Sequence, residues 1–162
     1  ARPPGRTIAR ISATAIAIAA LILLVRAAAV IPDPDAAPAS ESAATAWRGW
    51  SPAEAAQVRS SGQPLFIDFT AAWCLSCQVN ERVVLNAAAV RDAFRDHGVA
   101  KMKADWTRRD PAITGALTEL ERSSVPVYAL YPGGEGDPVL LPSVLTQEIV
   151  LEALETYVPV QR

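Results

Sequence analysis

The part of the chain that decides its fold is residues 66–77, which read FIDFTAAWCLSC. This stretch holds the only two cysteines of the 162-residue chain, Cys74 and Cys77, with two residues between them. The apolar run 65–69 predicts a buried strand, and the cysteines then stand where that strand gives way to a helix. A Cys-x-x-Cys pair at such a junction is the arrangement used for reversible dithiol–disulfide chemistry.

The two cysteines are expected to have different roles. Exchange needs a thiolate, and Cys74 would lie at or just before the helix N-terminus, where unpaired backbone N–H groups and the helix dipole stabilise one. Cys77 follows in the first helical turn, close enough to form the internal disulfide. We therefore expect Cys74 to attack a substrate disulfide and Cys77 to resolve the mixed disulfide. An inert structural disulfide is the alternative, although a bridge across so few residues would stabilise the fold little.

The composition excludes several classes of function. A net charge of −2 leaves no broad basic surface, so no nucleic-acid partner is predicted. The two cysteines and the only histidine, His97, cannot complete the four ligands of a structural zinc site. We therefore predict neither a metal nor a cofactor. A copper or zinc half-site, in which a partner protein completes the ligand set, is the metal-binding alternative.

Two acidic residues accompany the cysteines. Asp68 lies inside the apolar strand, where a carboxylate is costly unless it is paired or protonated, so a raised pKa is predicted. It could accept a proton when Cys77 attacks the mixed disulfide; an edge-strand acid facing water is the alternative. Glu81 falls on the same helix face as both cysteines. It could share the proton handling or keep Asp68 protonated, or instead be an exposed acid paired with Arg82.

The N-terminal segment, residues 1–31, is predicted to enter a membrane. Three arginines precede an apolar run, and we predict one transmembrane helix over 11–31 in which Arg26 snorkels to the interface. A cleaved signal peptide is the alternative. The positive-inside rule places residue 1 in the cytoplasm and everything after Pro32 outside it, which in a bacterium is the periplasm. Because the chain starts with alanine, we expect a processed product or a piece of a longer protein.

The remaining residues predict a linker and one globular domain. Residues 32–46 are rich in proline, alanine, serine and aspartate and predict a flexible linker before a domain at 47–162. The predicted strands are 65–69, 99–104, 127–131 and 139–141, and the predicted helices begin at Pro52, at the cysteines, at Pro111 and after Thr146. The second helix is predicted to run to about Asp96, with a break near Asn86. This order gives an α/β fold, with a mixed sheet of about four strands and helices on both faces.

Three segments carry a resemblance to a known family. They are residues 66–77, CLSCQVNER at 74–82 and KADWT at 103–107. The first resembles the active-site segment of the thioredoxin superfamily. Together they resemble the C-terminal periplasmic thioredoxin-like domain of the DsbD and ScsB-type transmembrane thiol:disulfide reductases. The resemblance covers about residues 47–160 and implies a thioredoxin fold.

The resemblance also implies roles for individual residues. Asp68 matches the buried acid of the family, Cys74 the nucleophile, Cys77 the resolving thiol and Glu81 a second acid near the active site. Pro126 matches a proline in a cis peptide bond that faces the disulfide. The residues expected to contact the substrate are Trp73, Leu75, Ser76 and Val125. Leu75 and Ser76 replace the Gly-Pro dipeptide of ordinary thioredoxins, which leaves the redox potential open.

The sequence therefore predicts a bacterial inner-membrane protein whose thioredoxin-like domain is in the periplasm. Its expected activity is that of a protein-disulfide reductase, which passes electrons from a membrane donor domain or protein to periplasmic disulfide-containing proteins. A thiol oxidase or isomerase is the alternative enzyme. A redox-inert or copper-binding interaction module on the same fold is the alternative without catalysis.

Overall fold

The computed structural model of the protein describes residues 46–134 and 136–160. The predicted membrane segment at 1–31 lies outside the described residues, as does the predicted linker at 32–46 except for its last residue. Within the described ranges, no helix is both long enough and apolar enough to cross a bilayer. The predicted domain boundaries therefore stay predictions.

The described chain alternates between short strands and helices. The strands are β1 (Trp47–Gly49), β2 (Leu65–Thr70), β3 (Ala100–Asp105), β4 (Val127–Tyr131) and β5 (Val139–Leu141). The helices are α1 (Pro52–Ser60), α2 (Leu75–Asn80), α3 (Ala88–Asp96), α4 (Pro111–Glu119) and α5 (Gln147–Tyr157). A π-helical turn, Glu81–Leu85, continues directly from α2.

The strands form one mixed sheet in the order β1-β3-β2-β4-β5. Strands β1, β3 and β2 run parallel to one another. Strand β4 pairs antiparallel with β2, and β5 pairs antiparallel with β4. The predicted mixed sheet is confirmed, but it has five strands rather than about four. Sequence analysis missed β1 because it has only three residues, too few to show an alternating pattern, and is defined by its pairing with β3 at the sheet edge.

The central strand β2 divides the core into two layers. Every residue of β2 is buried, and its side chains alternate between the two faces of the sheet. Leu65, Ile67 and Phe69 join a cluster that includes buried residues of α1 and α4. Phe66 joins the other cluster, with buried residues of the π-helical turn, α3 and α5. Helices therefore cover both faces of the sheet, as predicted.

Helices α1 and α5 begin where the sequence predicts, and a side chain caps each of them. The Ser51 hydroxyl accepts a hydrogen bond from the Glu54 backbone N–H at 3.2 Å, and α1 ends just before Gly62, whose φ is 79°. The Thr146 hydroxyl accepts one from the Ile149 N–H at 3.2 Å and begins α5. These side chains satisfy backbone N–H groups that a helix leaves without an internal partner.

The long helix predicted after the cysteines is interrupted where the break was expected. The Asn86 N–H bonds to the Glu81 carbonyl at 2.9 Å, which is the wider spacing of a π-helical turn. Ala87 then adopts an extended conformation and precedes α3. The interruption lets α2 carry the cysteines while α3 packs its own buried face, Val90 and Phe94, on the sheet.

Asn80 ties the cysteine-bearing helix to strand β4 and to the loop before α5. Its amide donates to the Tyr128 hydroxyl at 3.0 Å and to the Ser143 carbonyl at 2.7 Å. Its side-chain oxygen accepts from the Leu145 N–H at 3.4 Å. The residue is buried, so these groups have little access to water. Asn80 therefore fixes α2 against β4 and the loop before α5.

Replacing Asn80 by alanine is expected to lower the free energy of unfolding by about 2–3 kcal/mol. The change removes three hydrogen bonds and leaves buried partners unsatisfied. Urea denaturation of the full oxidised chain, followed by tryptophan fluorescence, measures the loss. Alanine at the exposed Asn86 is the matched control, with an expected change below about 0.5 kcal/mol. Equal losses in both variants would contradict this role.

Candidate active site

The two cysteines lie at the junction of β2 and α2, and they form a disulfide with a Cα–Cα distance of 5.3 Å. Cys74 is the N-cap residue of α2, as the sequence predicts, and its sulfur accepts a hydrogen bond from the Cys77 N–H at 3.3 Å. Both cysteines are buried, Cys74 at 6% exposure and Cys77 at 2%. The first cysteine is thus the one closer to solvent, which suits the predicted order of attack and resolution.

The residues expected to contact substrate surround this disulfide. Leu75 is 74% exposed and Trp73 is 52% exposed, although both are large apolar side chains. The Ser76 hydroxyl lies 3.5 Å from the Cys74 sulfur. Val125 packs against the small cluster that contains both cysteines. The structure therefore brings all four residues to the disulfide.

Pro126 lies near the disulfide because it directly follows Val125. The Val125–Pro126 peptide bond is cis, as the resemblance implied. Because Val125 packs against the cysteines, this peptide bond lies beside the disulfide at the start of β4. The role of Pro126 itself stays a prediction.

Asp68 lies in the central strand and is only 1% exposed. Its neighbours across the sheet are Lys103 on β3 and Tyr128 on β4, so the alternative of an edge-strand acid facing water does not hold. Burial raises the pKa of the Asp68 carboxyl to about 7, against a smaller lowering by Lys103 and with a further small increase from Glu81. This carboxyl group therefore changes protonation near neutral pH.

Glu81 is paired with Lys103, and both side chains are partly exposed. The sequence had offered Arg82 as the partner of an exposed Glu81. The lysine on β3 instead reaches the first residue of the π-helical turn. Because Lys103 stands opposite Asp68 in the sheet, the two acids and the lysine form one charged cluster between the sheet and the cysteine-bearing helix.

Comparison with known proteins assigns this chain to a family. A family model described as thioredoxin-like matches residues 46–133, more than half of the chain. The chain belongs to the thioredoxin-like family. The thiol:disulfide interchange protein DsbD 1 of Pseudomonas aeruginosa is 32% identical to it over 81 residues. That match spans 49% of this chain and only 13% of the relative.

Solved structures show the same fold. The oxidised C-terminal domain of DsbD from Neisseria meningitidis superposes with a TM-score of 0.54 at 22% identity, covering 69% of this chain and 99% of that domain. The solution structure of a thioredoxin from Thermus thermophilus gives a TM-score of 0.56 at 17% identity, covering 68% of this chain and 84% of that protein. These structures confirm the predicted thioredoxin fold, and the sequence match to DsbD 1 agrees with the resemblance that the sequence analysis identified.

Sequence analysis missed two supports of this thioredoxin-like site. Lys103 could have been noticed, because Lys101 and Lys103 alternate with apolar residues along a largely buried strand. Its pairing with Glu81, however, depends on the strand order. The other support is Thr107, whose hydroxyl accepts a hydrogen bond from the Ala72 N–H at 2.7 Å. The Trp73 indole N–H also donates to the Thr107 carbonyl at 3.3 Å. These bonds fix the turn that leads into Cys74.

No metal cluster accompanies the disulfide in the part of the chain that the structure describes. Groups of three or more histidine, cysteine or acidic side chains able to hold an ion do not occur there.

Replacing Asp68 by asparagine is expected to raise the free energy of unfolding at pH 8. The folded state shifts the pKa of this carboxyl from 3.8 to about 7. Between these values the folded chain holds a proton that the unfolded chain has lost, so the native protein loses stability as pH rises. At about 1.4 kcal/mol per pKa unit, the asparagine variant should gain on the order of 4 kcal/mol in free energy of unfolding at pH 8. This gain should vanish near pH 4.

Urea denaturation of the oxidised full chain at the two pH values measures this difference. Gln in place of Glu152, an exposed acid of α5, is the matched control, with an expected change below about 0.5 kcal/mol at either pH. A stability gain from the asparagine variant that is the same at pH 4 and pH 8 would show that burial of the charge is not its cause.

Proposed function

We propose that this chain is a thiol:disulfide oxidoreductase that acts as a protein-disulfide reductase. The observation that carries the proposal is the Cys74–Cys77 disulfide at the start of α2, together with the buried Asp68 carboxyl on the strand that leads to it, whose pKa is about 7. The match to a protein named for thiol:disulfide interchange supports the same chemistry. The substrates are proteins that contain a disulfide.

The reaction transfers two electrons from the dithiol to the partner. The Cys74 thiolate attacks one sulfur of the partner disulfide, forms a mixed disulfide and releases the other partner sulfur as a thiolate. The Cys77 thiolate then attacks the Cys74 sulfur, closes the internal disulfide and releases the second partner sulfur. The Cys77 N–H lies 3.3 Å from the Cys74 sulfur in the disulfide, so it is placed to stabilise the Cys74 thiolate that makes the first attack.

Asp68 is the proposed acceptor of the Cys77 proton. The second step needs the thiol of Cys77 to lose a proton, and a base with a pKa near the working pH is suited to take it. The pKa of Asp68 is about 7, and its Oδ1 has no hydrogen-bond partner among the described residues. Lys103 lowers this pKa and Glu81 raises it by a smaller amount, so that deprotonation of Asp68 remains accessible near neutral pH.

The proposed place of action is the periplasmic face of a bacterial inner membrane. The arginines before the apolar run support a single span over 11–31, with the domain on the far side of the bilayer. The similarity to the C-terminal domain of DsbD supports a membrane donor domain or protein as the source of electrons. The domain then passes these electrons to disulfide-containing proteins of the periplasm.

Replacing Cys77 by serine is expected to trap mixed disulfides through Cys74. The first attack proceeds, but no resolving thiol remains to release the partner. Incubating the reduced variant with oxidised periplasmic proteins, followed by non-reducing electrophoresis and mass spectrometry, identifies the adducts. Serine at Cys74 is the matched control and should trap none. Adducts in the control alone would reverse the two roles, and their absence from both variants would refute the exchange.

The direction of electron flow is tested by the reduction potential of the Cys74–Cys77 pair. We expect a value near that of thioredoxin, roughly −270 mV, which favours donation to partner disulfides. A value near −180 mV, typical of an isomerase, or near −120 mV, typical of an oxidant, would replace the reductase proposal. Equilibration with dithiothreitol and glutathione buffers measures it. Stoichiometric copper binding by the reduced full chain, without exchange activity, would favour the metal-binding module.

A further inference from the structure

One arginine lies against two tryptophan rings at the mouth of the active site. The guanidinium carbon of Arg109 is 4.7 Å from the centre of the Trp106 ring and 5.5 Å from that of Trp73. The two rings are 6.2 Å apart. Such contacts attract a cation to the faces of aromatic rings. Because Trp73 directly precedes Cys74, the guanidinium group stands next to the place where a partner disulfide must enter.

The backbone at Arg109 favours glycine rather than arginine. Its φ is 54°, in the left-handed region, which is less favourable for a residue with a side chain than for glycine. The conformation closes a turn in which the Arg109 N–H donates to the Trp106 carbonyl at 2.9 Å. The turn would form more easily with glycine, so what the position gains from arginine is the side chain.

The two tryptophans hold this side chain in a defined place. Trp106 is buried, and its indole N–H donates to the Thr114 hydroxyl at 2.8 Å. The Trp73 indole is fixed by its bond to the Thr107 carbonyl. A guanidinium that stacks on aromatic faces keeps its N–H groups in the plane of the group, where they can bind a carboxylate with two parallel hydrogen bonds.

The acidic residues of the same loop are engaged with the chain itself. Asp105 accepts hydrogen bonds from the N–H and the hydroxyl of Thr107. Asp110 accepts from two backbone N–H groups at the start of α4, at 2.8 and 3.4 Å. The side chains of Arg108 and Arg109 are exposed. The loop therefore presents guanidinium groups to an incoming partner, while its carboxylates face their own backbone.

We propose that Arg109, held by Trp73 and Trp106, selects partner proteins that carry an acidic side chain beside the disulfide to be reduced. This inference rests on the proposed function and names its substrate class. The partner's carboxylate binds the guanidinium while the partner's sulfur meets Cys74. Arg109 takes no part in the electron transfer, so its contribution lies in recognition.

The test compares two disulfide-bonded peptides that differ only next to one cysteine, where one has two aspartates and the other two asparagines. The full 162-residue chain in detergent reduces each peptide, with dithiothreitol as the reductant. Arg109→Gln and Arg109→Gly remove the charge, and the glycine variant also suits the backbone of the turn. Arg91→Gln, at an exposed position of α3, is the control with the same change in charge. 2-Hydroxyethyl disulfide serves as a neutral substrate.

We expect the unchanged chain and the Arg91 variant to reduce the aspartate peptide with a kcat/KM about 10-fold higher than that for the asparagine peptide. One charge-assisted contact would give a difference of this size. Both Arg109 variants should lose this preference while reducing 2-hydroxyethyl disulfide at the normal rate. Added salt should also weaken the preference. Equal preference in all four proteins, with normal reduction of the neutral substrate, would overturn the inference alone. Failure of the unchanged chain to reduce any of the disulfides would overturn the proposed function and the inference with it.

Discussion

Asp68 stands in the middle of the central strand, and the cost of keeping its carboxyl out of water determines which charged groups must accompany it. A buried carboxylate without compensation would stay protonated well above neutral pH. The Lys103 ammonium opposes this effect, while the Glu81 charge adds to it, and the resulting pKa of Asp68 is about 7. Because these groups come from β2, β3 and the π-helical turn, the charge balance exists only when the sheet and the helix are assembled.

The parts of the fold that the sequence predicted are those set by neighbouring residues. The strand 65–69, the helix start at Pro52 and the position of Cys74 at a helix start each depend on a few adjacent side chains. β1 was not predicted, because three residues are too few to show the alternating pattern of a strand. Its pairing with β3 also joins segments that are far apart in the chain. Local patterns thus identified the reacting groups, but not the full sheet that holds them.

The same distinction explains the partners within the site. Burial of Asp68 could be predicted, since its neighbours on the strand are apolar. The pairing of Glu81 with Lys103 could not, because it requires β3 to lie beside β2 and the helix to continue into a π-helical turn. Arg82, adjacent in the chain, seemed the natural partner from sequence alone. Strand order is a long-range property, and it decided which cation Glu81 meets.

Attraction and discrimination are divided between different side chains at the mouth of the site. Leu75 and Trp73 are exposed apolar surface that any partner can cover, and the gain from covering it has no preferred direction. Arg109 is different, because a guanidinium–carboxylate pair has a defined geometry, and covering it without a matching acid leaves a charge poorly solvated. In the proposed reaction, partners are held through the apolar surface but distinguished through Arg109, while Asp68, buried in β2, serves the chemistry of each in the same way.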